Sequence, residues 1–388
     1  MIQRQLKLRL TPAQAKHLET WLFQLTGGWN WAIRKIEQDA NDGIYYSQKA
    51  FHNRLADHGK KLGIPSHTLQ GMLDTAWRAW QRGYKKLAKK PKRKGKRNRL
   101  SSMPLPDAFK RPTGTRIHVP GIGSVRFHKH ALPAGRLQSG RIVKRASGWY
   151  LCLCIDTQPH SIPAVGPGAI GIDPGFLDLL TLSTGEKMAH PHERRQTAQR
   201  LAQAQRGSRK QLTARLQERL ANQRQDRNHK LSRRLVAENA IIVWSKDAHR
   251  GIAKSFGKSV ASASHAQLRG MLAYKCTASD RQFLEVPSQH STRTCSACRA
   301  LTGPTGFAGL SVRQWTCPDC GAEHDRDVNA AMNTLIAGVG ITLEHRRKAV
   351  PGIPCLEAWG GSKQLLGGQR RSRLGLLRGP ALDGVVSI

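Results

Sequence analysis

Two Cys-x-x-Cys pairs, Cys295/Cys298 and Cys317/Cys320, enclose residues 299–316. This spacing suits four thiolates on two tight knuckles that close one tetrahedral zinc shell. Such a shell is structural, because four protein ligands leave no open position. It also brings its two knuckles together whatever the intervening residues do, so every neighbouring segment must accommodate it. Directly after it come Asp325-Arg326-Asp327-Val328-Asn329-Ala330-Ala331, acidic residues that lead into a small-residue helix. The clamp therefore stands against a candidate catalytic carboxylate.

Charge narrows the partners. The 388 residues carry a formal net charge of +39, a field that favours a polyanion, nucleic acid first. A membrane surface is the rival, but no apolar run approaches the roughly 18 residues needed to span a bilayer. The N-terminus lacks the apolar core of a signal peptide, so a cytoplasmic, reducing setting is expected, with nucleoid association through DNA. There, four cysteines serve as thiolate ligands rather than disulfides. Cys152, Cys154, Cys276 and Cys355 have no paired spacing and read as core thiols.

In chain order, residues 2–10 alternate polar and apolar, which is a strand signature. Thr11-Pro12 reads as a helix N-cap and first helical position, and helical patterns continue to about residue 90. Trp21, Trp29, Trp31, Trp77, Trp80 and Tyr84 fall in this stretch. They suit a helical core, with a few aromatic and basic side chains on one face available to stack on bases. From Lys85 to Arg99, KKLAKKPKRKGKRNR, ten of fifteen residues are Lys or Arg; this is a solvated linker or a phosphate-binding arm. Residues 101–157 read as short strands of an antiparallel barrel or sheet, which residues 1–10 can join. From residue 168 the order strand, strand, helix, strand, helix, strand, helix gives an α/β sheet. Leu212, Leu216 and Leu220 form a packing stripe on its basic helices. Residues 341–388 show no periodicity and are expected to form a flexible basic tail.

Asp173 follows a buried strand at the edge where α/β folds place ligand-binding groups, and Asp327 opens a helix. A lone Asp after a strand usually serves turn chemistry; the zinc knuckle beside the second acid favours a site. Two such acids in a basic chain suggest a two-metal phosphodiester hydrolase with Mg²⁺ ions about 3.5–4 Å apart.

GIDPG (171–175), RNHKLS (227–232), MLAYKC (271–276), STRTCSACR (291–299), WTCPDCG (315–321) and HDRDVNAAMN (324–333) together resemble the TnpB family. These are RNA-guided nucleases encoded by insertion sequences and related to type V CRISPR effectors. The likeness covers roughly residues 1–335 and is strongest from 168. It implies a multidomain α/β protein with a wedge β-barrel (1–10 and 91–160) and an inserted helical recognition domain (11–90). It further implies a RuvC, RNase H-like nuclease (168–294 and 321–340) and a zinc-binding target-nucleic-acid module (295–320). Implied partners are a guide RNA derived from the transposon end and a double-stranded target DNA. Implied cofactors are two Mg²⁺ and a structural Zn²⁺ on Cys295, Cys298, Cys317 and Cys320.

The family's three nuclease carboxylates carry onto Asp173 and Asp327, with Asp325 as second choice, but the middle one is missing. AIIVWSKD should bear an acid near Trp244 or Ser245 and does not. Glu238 falls some six residues early, near 20 Å away along a strand rising about 3.3 Å per residue. Asp247 is a weaker candidate. A branch of the family resembles this chain in EV…STRTCS…HDRDVNAA, and that likeness implies a relocated glutamate, Glu285. Two readings stay open: a rearranged site of Asp173, Glu285 and Asp327, or a nuclease-inactive RNA-guided DNA binder. Arg227, Lys230 and Arg233 are candidate nucleic-acid backbone contacts or a solvated helical face.

Overall fold

A computed structural model describes residues 2–340 apart from 46, 55–57, 96–97, 106–111, 113, 129–130, 158–160, 167, 190–192, 247–262, 306–308 and 310. The side chains of 193–196 are likewise outside the description, as are Asp247, Cys355 and the expected tail. The chain divides into two compact units, Met1–Pro159 and His160–Ile388.

In the first unit, β1 (Ile2–Arg9) runs into α1 (Pro12–Asn41). Thr11 accepts from the Gln14 amide while Gln14 reaches back to Thr11 N, a capping box with Pro12 pre-setting the first turn. Helices α2 (Gln48–Asn53), α3 (His58–Leu62) and α4 (Ser66–Tyr84) follow. Next come strands β2 (Ser102–Pro104), β3 (Arg116–Val119), β4 (Gly123–Phe127), β5 (Arg136–Arg145) and β6 (Gly148–Asp156). They form a six-stranded sheet in the order β2-β5-β6-β1-β4-β3. β1 pairs antiparallel with β6 from Ile2↔Ile155 to Lys7↔Tyr150, so the helices are inserted between a central strand and the rest of its sheet. Helices and sheet share one core that includes Leu6, Trp21, Leu25, Leu73, Met103 and Leu151. Most of the expected aromatic face belongs to that core; Tyr84 is exposed. Where it is described, the basic stretch after α4 is mostly exposed and is tied to α1 by its backbone. Trp29 Nε1 donates to Lys92 O (3.2 Å), and Lys94 N donates to Asn30 Oδ1 (2.7 Å).

The second unit holds a five-stranded sheet in the order β11-β10-β7-β8-β9. Its strands are β7 (Gly168–Pro174), β8 (Asp178–Leu182), β9 (Lys187–Ala189), β10 (Asn239–Lys246) and β11 (Gln282–Pro287). β7, β10 and β11 are parallel; β8 and β9 turn back antiparallel. Long basic helices α5 (Glu193–Arg206) and α6 (Lys210–Glu238) precede β10, and α7 (His265–Ala278) precedes β11. One face of the sheet packs Ile170, Ile172, Ile242 and Trp244 with Leu235, Leu268 and Leu272 of α6 and α7. The other packs Ala169, Ile241 and Val243 with Leu335 and Ile336 of α8 (Arg326–Val339). Alternation along a strand then fixes which face each remaining side chain takes.

Arg227, a candidate for a nucleic-acid contact or a solvated helical face, is tied into helix packing. Its guanidinium donates to Ala263 O (3.2 Å), and Asn228 beside it reaches Ser264 Oγ and Gln267. Lys275 donates to His229 O and Ser232 Oγ; burial, with Arg233 adding to it, lowers its ammonium to about 8. Lys230 is exposed and paired with Asp226 at 2.7 Å, and Arg233 is exposed.

Gly171 explains the first glycine of GIDPG. A β-carbon there would lie 2.1 Å from Ala331 O and 2.7 Å from Leu335 N, so only glycine lets the backbone of α8 rest on β7. Gly171→Ala is expected to destabilise this unit by about 1–3 kcal/mol, the range for overpacking a core. Gly270→Ala, in the interior of α7 with open space around it, should stabilise by about 0.4–1 kcal/mol. Denaturant titration of the two variants checks the opposite signs.

Candidate active site and metal centre

The two cysteine pairs sit on knuckles of the same construction. Cys295 N donates to Ala300 O (2.7 Å) and Arg299 N to Cys295 O (2.9 Å); Cys317 N donates to Ala322 O (2.9 Å) and Gly321 N to Cys317 O (2.8 Å). The fourth residue after each leading cysteine is left-handed, with φ of 74° at Arg299 and 70° at Gly321. Glycine tolerates this freely, whereas a side chain costs about 1–2 kcal/mol. Arg299 is held there by donating to Asn333 Oδ1 at 2.6 Å.

Sγ of Cys295 and Cys320 lie 3.7 Å apart, as do those of Cys298 and Cys317; all four are within 4.8 Å of one another. Zinc–sulfur bonds near 2.3 Å give a sulfur tetrahedron with edges of about 3.8 Å, so the donor set fits Zn²⁺. Two further side chains touch the sulfurs. Thr302 Oγ1 is 3.2 Å from Cys317 Sγ, and His324 Nε2 is 3.0 Å from Cys295 Sγ. His324 stands on β13 (Glu323–Asp325), paired with β12 (Gln314–Thr316), and its ring rests 4.7 Å from that of Trp315. The Thr302 hydrogen bond draws the Cys317 thiol down to about 6, while burial pushes Cys295 up to about 12.

Helix α8 ties this clamp to the sheet. Asn329 and Asn333, 2% and 5% exposed, stand one turn apart. Asn329 Oδ1 accepts from Ser296 N (2.8 Å) and its Nδ2 donates to Thr294 O (2.9 Å). Asn333 Nδ2 donates to Ser291 O (2.8 Å) and Thr294 O (2.6 Å). The helix begins at Asp325, whose Oδ1 accepts from the amides of Asp327 and Val328, both at 3.1 Å, as an N-cap. Its Oδ2 takes the Lys187 ammonium at 2.7 Å. Burial works to raise the Asp325 carboxyl, but Lys187 and the two amides outweigh it and hold it below the usual carboxylate range. Asp325 is thus engaged as a cap, while Asp327 meets Arg313 at 3.4 Å and Lys187 at 4.0 Å.

Register places Asp173 in the same neighbourhood. Asp173 pairs with Thr181, and Thr181 with Lys187, one row across β7, β8 and β9. At about 4.8 Å per strand, Asp173 and Lys187 are roughly 10 Å apart along that row. Asp173 shares the face of Gly171, the α8 face, so it lies on the same side of the sheet as Asp327. Lys187 and Arg313 supply the positive charge at this carboxylate edge that a metal would otherwise bring.

The middle carboxylate is different. Ile172 pairs with Trp244, and Trp244 with Glu285. Trp244 packs on the α6/α7 side, and Glu285 takes that side too, 3.5 Å from Arg269 of α7 and 3.7 Å from Lys246. On β10, Ser245 takes the α8 face next to Asp173's level; it is fully buried, and its hydroxyl has no hydrogen-bond partner among the described residues. Glu238 ends α6 at the opposite end of β10, beside Arg234. Among the described residues the four cysteines are the one group of three or more possible ligands drawn together. Sequence reading missed His324, Thr302, Lys187 and the two asparagines. Only the asparagines carried a signal, two amides at i and i+4 in an otherwise apolar helix.

Among the described residues no helix is long and apolar enough to cross a membrane. Residues 265–334 match the family described as Cas12f1-like, TNB domain. Over 211 residues the chain is 41% identical to a candidate RNA-guided DNA endonuclease of Streptomyces pristinaespiralis, covering 50% of this chain and 51% of that one; it spans about half the length of that relative. It is 28% identical over 313 residues to the candidate RNA-guided DNA endonuclease InsQ of Escherichia coli K12, covering 71% of this chain and 75% of the other. The fold is similar to a protein chain in a cryo-EM structure of a Cas12f1–sgRNA–target DNA complex, with a TM-score of 0.55, 12% identity, and 86% and 84% of the two chains covered.

Metal binding to the cluster must expel the proton of Cys295, so apparent zinc affinity is expected to rise with pH from 6 upward. Chelator competition at pH 6, 7 and 8 measures it. Asn333→Ala removes the hydrogen bonds to Ser291 O and Thr294 O and the acceptor of Arg299, while Asn329 still reaches both carbonyls. It should lower stability by about 0.5–1.5 kcal/mol, the net worth of a hydrogen bond, and hasten zinc loss to the same chelator.

Proposed function

We propose that this chain is an RNA-guided DNA endonuclease of the TnpB family, a reading supported by the matched domain and the two curated relatives. The observation that carries the reading is the placement of Asp173 and Asp327 on one face of the sheet, with the zinc knuckles fastened to the helix that bears Asp327. The proposed architecture is a RuvC-like nuclease in the second unit, interrupted by the zinc module, and a wedge barrel with a helical recognition insertion in the first. A guide RNA from the transposon end and double-stranded target DNA are the proposed partners. The net charge of +39 suits phosphate contacts, while base pairing supplies sequence specificity.

Asp173 and Asp327 are proposed to hold Mg²⁺. Bound there, Mg²⁺ would supply an activated water and offset charge on the departing oxygen. Lys187 and Arg313, which pair with Asp327, would then be free to meet the scissile phosphate. Cys295, Cys298, Cys317 and Cys320 would hold Zn²⁺, which would lock the two knuckles that Asn329 and Asn333 tie to α8 and so help aim Asp327. Glu285 is the proposed third carboxylate. It stands at the same end of the sheet but is held on the α7 face by Arg269 and Lys246. Serving this site requires the carboxylate to leave those partners and turn over the strand end.

That requirement, together with Ser245 at the level of Asp173, favours a second reading: guided DNA binding without cleavage. A matched plasmid separates the two. If the first holds, Mg²⁺-dependent cleavage is lost, by a hundredfold or more, in Asp173→Ala, Asp327→Ala and Glu285→Ala, and kept in Glu238→Ala. Cleavage by Glu285→Ala at the parent rate rejects the relocated ligand. No cleavage by the parent, with guide-dependent plasmid binding intact, selects the second reading.

A further inference from the structure

In the first unit, the C-terminal ends of α1 and α4 and the chain beyond them enclose a pocket of about 340 Å³. We propose that it binds one unpaired nucleobase of a single-stranded nucleic acid, with Lys90 on an adjoining phosphate. The proposal rests on the guided-nuclease reading for the presence of such a strand and adds where one of its bases is held.

The pocket has an apolar floor and aromatic walls. Ile36 and Trp80 beneath it are 5% and 8% exposed, whereas Tyr45 and Tyr84 at its mouth are 76% and 68% exposed. Burying a large apolar side chain is worth about 1.5–3 kcal/mol, so two open tyrosines around a tryptophan-floored cavity are a surface arranged to be covered. The volume is at the lower end of the roughly 300–1,000 Å³ of small-ligand sites; it suits a single ring system rather than a helix. Asn41 and Gln81 put amide donors and acceptors at the rim, and Glu37 adds an acceptor for an exocyclic amine.

Charge identifies the class of ligand. The Lys90 ammonium lies 5.6 Å from the Trp80 ring centre, at the pocket wall. It belongs to the basic stretch that lies along α1. Asn30 exchanges two hydrogen bonds with the Lys94 backbone at 2.8 and 2.7 Å, and Lys94 and Arg99 sit over Trp29 and Phe23 at 5.4 and 5.2 Å. This pinning leaves Lys85, Lys86, Lys89, Lys92 and Arg93 exposed in fixed succession beyond the pocket. A stacking platform beside a track of cations is how proteins hold single strands without reading much sequence. Bases inside a duplex are already stacked and cannot enter.

The test uses the full zinc-loaded chain, stripped of bound RNA, and short single-stranded RNA and DNA containing one 2-aminopurine. Binding is expected to quench 2-aminopurine fluorescence, and the stronger of the RNA and DNA arms shows which strand the pocket serves. Tyr84→Ala should weaken binding by roughly five- to a hundredfold and remove the quench, with duplex binding unchanged. Tyr84→Phe should keep both, because the ring does the stacking. Lys90→Ala should lower the slope of log affinity against log salt by about 0.7. Both side chains are exposed, and equal melting temperatures confirm intact folds. If Tyr84→Ala binds and quenches like the parent, the pocket assignment is overturned while the guided reading stands. A parent that binds no single strand overturns both.

Discussion

Helix α8 rests with its backbone directly on β7, and the placement of the candidate site depends on that contact. Gly171 admits the Ala331 carbonyl and Leu335 amide to where any β-carbon would stand. Closer to the helix start, Asp325 caps the exposed amides. On its flank, Asn329 and Asn333 take up the backbone of the first zinc knuckle. The helix is thus fixed against the sheet, at its N-terminus and along one side by independent interactions, and Asp327 in its first turn inherits all three constraints.

The four-cysteine cluster gains its meaning from this arrangement. A four-thiolate shell offers no open coordination position, so its contribution is mechanical. It holds two short knuckles in a loop with little apolar core of its own, and Arg299 remains in a left-handed conformation because Asn333 receives its guanidinium. His324 extends the connection, touching Cys295 on one side and preceding the Asp325 cap on the other. Cysteine cluster, cap and carboxylate occupy one continuous structure.

The same sheet shows why the middle carboxylate is hard to place. Successive residues of a strand face opposite sides, so Trp244 and Ser245 are not interchangeable positions. The tryptophan faces α6 and α7, and the serine faces α8. Glu285 shares a row with the tryptophan and finds Arg269 and Lys246 there. The relocated acid is near the site along the strand and across the sheet from it in direction.

The sequence by itself determined the cysteine clamp, the acids beside it, the alternation of strands and helices, and the basic character of the surface. Each is written in local spacing or composition: four sulfurs in paired turns, period-two and period-3.6 patterns, 64 basic against 25 acidic residues. Only the tertiary structure decided that Asp325 caps rather than waits for metal, that Arg227 packs between helices, and that Lys92 and Lys94 are pinned to α1. It alone also decided that Glu285 and Asp173 point from opposite faces. Those outcomes depend on partners distant in sequence, such as Lys187, Ala263, Asn30 and Arg269, and a side chain's direction is set by the register of the strand beside it.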